Sequence, residues 1–173
     1  MGVPTPLTTY HLAAGLLAGF LLRKHLYWPA LIISTVVVDV EPLLVLLGVL
    51  RGYPLHGYLH TFLASAVFGV AVGYATYALR SLVHPLFRRL RLAEEEPTAT
   101  DSVLGGVVGW ALHIAMDSPI YSDIRPLLPL QSNPLYVGYA ATLGFLWDTV
   151  LVCGLLTYLI HLYRVYRRGD GRW

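Results

Sequence analysis

Apolar residues run along this chain in stretches too long for the core of a soluble domain, divided by short polar breaks. Because about 20 apolar residues carry a helix across a bilayer, the runs predict five spans: Leu7 to Leu22, Tyr27 to Leu50, His56 to Leu79, Ser102 to Ser118 and Gly138 to Leu162. The first and fourth are short and must tilt little or thin the bilayer. The second is interrupted at Asp39-Val-Glu-Pro42. There the proline disfavours helical geometry at Glu41 and removes a helix hydrogen bond. The pattern predicts a span ending near Asp39, followed by a short re-entrant or interfacial helix over Leu43 to Leu50. The expected fold is therefore all-α and polytopic, one integral membrane domain over residues 1–173.

Composition agrees with that reading. With 56% hydrophobic and 13% charged residues in 173, there are too few charges to coat a soluble globule of this size. The net charge of +2 hides an asymmetry, since ten of the twelve Lys and Arg residues fall in three clusters: Arg23 and Lys24, Arg80 to Arg91, and Arg164 to Arg172. Placing all three inside, with only Arg51 and Arg125 outside, satisfies the positive-inside rule for short loops. The N-terminus is then outside, the C-terminus cytoplasmic, and the plasma membrane the expected location. The bilayer is the natural partner and nucleic acid is not. The first nine residues carry no basic stretch, so the first run is expected to be a retained helix. Cys153 is alone, which excludes an internal disulfide.

Two connections stand out. Residues 81–101 begin with a basic amphipathic stretch (HPLFRRLRL) followed by Glu94 to Glu96, as expected of an interfacial helix on anionic headgroups and a solvated acidic turn. Residues 119–137 form an outer loop holding four prolines; its order must come from packing over whatever lies below, as a lid or lining loop.

In this topology His11, Asp39, Glu41, His56, His60, His113, Asp117 and Asp123 all lie at or near the outer ends of spans. Asp148 sits about ten residues, roughly 15 Å of helix rise, further in. Ionisable side chains within spans cost several kcal/mol unless paired or wetted. Their convergence on one side calls for a common cause. A divalent metal supplies one, because imidazole with carboxylate suits zinc or manganese and a cation offsets the grouping of several acids. His56 with His60, and His113 with Asp117, are four residues apart, a spacing that on a helix directs both side chains the same way.

Alternatives remain for each. His113 and Asp117 also suit a hydrogen-bonded packing contact, His56 and His60 an interfacial position, and Asp39 with Glu41 the solvation of a helix end. His11 also suits an aromatic belt. Asp148 reads as a residue orienting a ligand histidine or as a protonated packing residue. Asp123 reads as a solvated turn, and His25, His84 and His161 as interfacial histidines without a paired carboxylate.

In their order along the chain, four motifs resemble the YdjM-like family of predicted inner-membrane metal-dependent hydrolases. They are Tyr10-His11 opening the first helix, the D-x-[DE]-P turn Asp39 to Pro42, the histidine cluster ending in His60-Thr61, and H-x-x-x-D-S from His113 to Ser118. The resemblance implies metal-site roles for His11, Asp39, Glu41, His56, His60, His113 and Asp117. The middle motif departs from it, with three residues between the histidines where the family commonly has four. A fainter similarity is to zinc-dependent phospholipase C and single-strand-nuclease-like phosphodiesterases. Their final H-x-x-x-[DE] pair is not reproduced, because Gly144 stands four residues before Asp148.

The function expected from these readings is metal-dependent hydrolysis. One to three divalent ions, zinc by preference, activate a water against a phosphoester of a lipid or lipid-linked substrate at the outer face. Six residues are expected as ligands (His11, Asp39, His56, His60, His113, Asp117), Glu41 as the base if it is not a ligand, and Asp148 as an orienting group. The alternatives are a metal-ion or ion-coupled transporter and an interaction protein with a structural metal.

Overall fold

A computed structural model describes residues 8–93, 95–138 and 141–167, and among these the chain is helical with no strand. Helix α1 covers Thr8–Leu22, α2 Trp28–Val37 and α3 Val40–Leu46. A 3-10 turn, Tyr58–His60, leads into α4 at Phe62–Ala64, a π-helical turn at Ser65–Gly69, and α5 at Val70–Ala78. Helices α6 (Arg80–Arg89), α7 (Ala99–Asp117) and α8 (Ala141–Arg167) complete the set.

Three helical stretches are long and apolar enough to cross a membrane: Trp28–Leu46, Ala99–Asp117 and Thr142–Arg167. A fourth exists if Phe62–Ala78 is joined to Arg80–Arg89, from which it turns by 84°. Helix α1, at 15 residues, falls short of that length. The structure thus supports a membrane protein with fewer clear spans than the five the hydrophobic pattern predicts.

Other boundaries move for local reasons. The third span begins at Phe62 and not at His56, because Thr61 caps it by accepting the Ala64 amide at 3.0 Å. Helix α7 begins at Ala99, three residues before the expected Ser102, because Thr98 and Asp101 form a reciprocal capping box. The expected helix over Leu43 to Leu50 is displaced to Val40–Leu46, joined to α2 through Val38 and Asp39. Pro42 falls in the first turn of α3, where its missing N–H is tolerated.

Helix α7 is the axis of the bundle. A Cβ on Gly109 would run into the Leu31 carbonyl of α2, and one on Gly106 into the backbone at Gly69 and Gly73, across the π turn and α5. Small residues let these backbones approach closely. The Ser34 hydroxyl then reaches the Gly106 carbonyl at 2.6 Å. Helix α1 joins through Trp28, whose indole N–H donates to the Gly15 carbonyl at 3.1 Å. This packing brings the start of α1, the junction of α2 and α3, and the end of α7 to one end of the bundle.

The loop from Ser118 closes that end. Asn133 donates to the Ser118 and Tyr121 carbonyls at 2.7 and 2.9 Å, the Phe62 amide donates to the Pro126 carbonyl at 2.9 Å, and Ile120, Ile124 and Pro126 are buried.

Candidate metal centre

Helix α7 contributes His113 and, one turn later, Asp117. His113 Nε2 lies 3.2 Å from Asp117 Oδ2, as the four-residue spacing predicts. Helix α1 contributes His11, whose Nε2 lies 3.2 Å from Asp117 Oδ1 and whose ring stacks on His113 with centroids 3.8 Å apart. Asp39 enters from the junction after α2, with Oδ1 3.6 Å from His113 Nε2 and Oδ2 accepting from the Thr8 hydroxyl at 2.8 Å.

His56 and His60 arrive by a different route from the expected helix. The loop before α4 and its 3-10 turn carry them, and their rings meet edge to face, centroids 4.7 Å apart. The Trp110 indole fixes this loop by donating to the Leu59 carbonyl at 2.8 Å.

In three of the histidines the nitrogen remote from the cluster is tied down. His113 Nδ1 donates to the Thr35 carbonyl at 2.7 Å, His60 Nδ1 to Glu41 Oε2 at 2.8 Å, and His56 Nδ1 to the Asp123 carboxylate at 3.1 Å. Such partners are what orient metal-ligating histidines, and each assigns the Nε2 lone pair to the interior. Burial lowers the pKa of His60 below its ordinary value, which keeps that ring neutral. His60 Nε2, His113 Nε2, His11 Nδ1 and Asp117 Oδ1 are buried without a hydrogen-bond partner.

Tied in this way, His60 and His113 turn their Nε2 lone pairs toward one another and toward Asp39 and Asp117, which is costly in a buried place unless a cation sits among them. The spacing fits one. Ligands about 2.0 Å from a tetrahedral ion stand roughly 3.3 Å apart, close to the measured 3.2, 3.2 and 3.6 Å. Three overlapping trios can hold a metal ion, with ligand atoms within 4.8 Å of one another: His11, His113 and Asp117; Asp39, His60 and His113; and His56, His60 and Asp117. Together they comprise the six residues expected as ligands.

The remaining expectations fare differently. Glu41 is 3% exposed, and its carboxylate is fully engaged. Oε1 accepts from the Tyr53 hydroxyl at 3.0 Å and the Leu59 amide at 3.1 Å, and Oε2 from the Gly57 amide at 2.9 Å and His60 at 2.8 Å. A carboxylate has about four acceptor sites, and these four donors occupy them, which suits Glu41 to positioning His60. Asp148 lies on α8, exposed and outside the three trios, accepting from the Tyr10 hydroxyl at 2.9 Å. It therefore approaches the centre only through the neighbour of His11.

Asp123 is no mere solvated turn, since it also accepts the His56 amide at 3.2 Å. Its position six residues beyond Asp117, in a loop without periodicity, offered no signal. Thr8 did, because it precedes His11 by three residues and so shares a helix face with it. His84 is buried and has a carboxylate partner, Glu96, at 3.6 Å. His161 is buried, with Nε2 2.6 Å from the Arg91 carbonyl. His25 is exposed.

Compared with protein-family models, with curated proteins and with solved structures, the chain matches none.

Proposed function

We propose that this protein is a membrane-embedded, metal-dependent hydrolase acting at the outer face on a phosphoester of an amphiphilic substrate. The observation that carries the metal is the buried cluster of histidines and aspartates, in which His60 Nε2, His113 Nε2, His11 Nδ1 and Asp117 Oδ1 have no hydrogen-bond partner and three overlapping trios bring their ligand atoms within 4.8 Å. The hydrolytic reading rests on the order of motifs shared with the YdjM-like family. The cluster occupies the bundle end opposite the basic groups at Arg23, Lys24 and Arg88 to Arg91, which the positive-inside rule assigns to the cytoplasm. On this reading α1 and the bent segment complete the five spans.

His113, Asp117 and His60 form the core of the ion's binding set, flanked by His11, Asp39 and His56. When bound, a divalent ion polarises a phosphoryl oxygen and lowers the pKa of a coordinated water. Glu41, Thr35 and Asp123 hold the imidazoles in the tautomer that presents Nε2. Asp39 is 28% exposed, the more open of the two aspartates, and is the group placed to take a proton at the rim. Tyr121, its ring 4.2 Å from that of His56, forms part of the mouth through which a headgroup enters while its chains stay in the bilayer.

The test is metal analysis of detergent-purified protein, followed by a screen of phospholipids, lipid-linked phosphates and chromogenic phosphoesters with and without chelator. Chelator-sensitive turnover, lost with the metal in His113→Ala, is the expected result. If metal-loaded protein turns over none of these while liposomes show metal flux that His60→Ala abolishes, the transporter reading replaces this one.

A further inference from the structure

At the opposite end of α2 and α7, about 18 Å of helix rise from His113 to Asp101, lies a cavity of about 550 Å³. Its volume is in the range of small-molecule sites. Buried Tyr27 and Trp28 form one wall, with Leu92 and Ala93 beside them. Arg23 and Lys24, from the turn after α1, line it together with Glu95 and Glu96, from the connection before α7, and with Asp101, whose carboxylate is engaged in the capping box with Thr98.

These opposite charges share a cavity yet make no ion pair with one another among the described residues. Arg23 is instead held on its own helix end, donating to the Phe20 carbonyl at 2.5 Å with its guanidinium 4.3 Å from the Phe20 ring centroid. Glu96 is drawn toward His84, which lies 3.3 Å from the Tyr27 hydroxyl. Burial, and then the charge of Glu96, push the Tyr27 pKa up to about 12, so its hydroxyl stays protonated.

We propose that this cavity binds a zwitterionic aminophosphate headgroup, its phosphate toward Arg23 and Lys24 and its ammonium toward Glu95 and Glu96. Basic and acidic groups that line one cavity without pairing with each other fit a ligand bearing both charges better than a simple anion or cation. A primary ammonium suits the acidic side because it donates hydrogen bonds to carboxylates. The same chemistry comes from an aminophospholipid of the cytoplasmic leaflet or from free phosphoethanolamine. Leu21 and Leu22 precede Arg23 and are 67% and 37% exposed, giving acyl chains an apolar surface beside the opening. The site is independent of the metal centre and does not rest on the hydrolase reading.

The experiment is equilibrium binding to the purified full-length chain of short-chain phosphatidylethanolamine, phosphatidylcholine and phosphatidylglycerol, and of free phosphoethanolamine. Wild type is compared with Lys24→Ala and Glu96→Ala, both exposed positions, with thermal unfolding as the fold control. Phosphatidylethanolamine is expected to bind about tenfold tighter than either other lipid, and each substitution to weaken it by about five- to tenfold, the scale of one net hydrogen bond at a solvent-exposed site. Binding of free phosphoethanolamine as tight as the lipid's identifies a soluble ligand, and binding of the lipid alone a membrane one; either supports the aminophosphate site. Phosphatidylglycerol binding as tightly, with Glu96→Ala without effect, would reduce the cavity to an anion patch and overturn the proposal. Equal affinity for phosphatidylcholine, or no saturable binding of any of the four, would overturn it too.

Discussion

Replacing Glu41 by glutamine separates a positioning role from a catalytic one. The wild-type carboxylate accepts four donors: the Tyr53 hydroxyl and Leu59 amide at Oε1, the Gly57 amide and His60 Nδ1 at Oε2. Glutamine offers one carbonyl oxygen and one amino group in the same space. If the amino group takes the Oε2 place it faces His60 Nδ1–H, and the ring must move its proton to Nε2, which removes the metal-facing lone pair. If it takes the Oε1 place, Tyr53 can turn to accept from it, but the Leu59 amide is left unpaired. The second arrangement keeps His60 usable, at about 1–3 kcal/mol for one buried donor plus about 1 kcal/mol for exchanging a charged for a neutral acceptor. Glu41→Gln is therefore expected to lose about 2–4 kcal/mol of fold stability and, because His60 is no longer held as firmly, about 10–100-fold in metal affinity. Thermal unfolding with and without zinc, and titration against a competing chelator, read the two losses separately. A variant that binds zinc as tightly as wild type, unfolds at the same temperature and yet has no turnover would make Glu41 the base and refute the positioning argument.

Gly106→Ala places a methyl group against backbone atoms of Gly69 and Gly73, neither of which can swing aside, so α7 must move from α5 at a cost of about 1–3 kcal/mol; an unchanged unfolding temperature in detergent would contradict the close packing. Cysteines introduced at Ser132 in the loop after α7 and Ser81 on α6, both exposed, in a background lacking Cys153, are expected to be labelled from opposite sides of the membrane. Labelling from the same side would overturn the placement of the metal centre at the outer face.

How far the site was legible depended on which elements carry its residues. His113 and Asp117 lie on one regular helix, so their spacing transferred directly into the 3.2 Å contact. His56 and His60 have the same spacing and do converge, but not as a helix pair. Gly52, Pro54 and Gly57 break the chain before the third span, and that span waits for its cap at Thr61. The partners of the remote nitrogens were largely hidden: Asp123 stands in a loop, and the Thr35 acceptor is a backbone carbonyl, which no residue type advertises. Glu41 was visible as an acid at a helix break, but its role was not, because all four of its donors lie in residues 53–60. The five-span count is supported only in part, at Trp28–Leu46, Ala99–Asp117 and Thr142–Arg167, since hydropathy alone does not distinguish a 15-residue helix packed against α2 and α8 from one that crosses a membrane.

The break at Pro42, read from the sequence as a disruption, has a constructive role in the geometry. In an uninterrupted helix the Thr35 carbonyl would accept the Asp39 amide. Pro42 has no N–H to offer the Val38 carbonyl, and the ladder tightens around it. The Asp39 amide goes to Val36 at 3.1 Å and the Glu41 amide to Val38 at 3.2 Å, both one residue short of the α-helical register. The Thr35 carbonyl is thereby left for His113 Nδ1 at 2.7 Å. The same tightened segment directs Asp39 toward His113 Nε2 and Glu41 toward His60 Nδ1. Within seven residues, one helix irregularity supplies an anchor for His113, an anchor for His60 and a carboxylate of the cluster. Irregular backbone at membrane depth is tolerated where it lines a cavity or binds an ion, and here the carbonyl it frees is one of the groups that orient the candidate ligands.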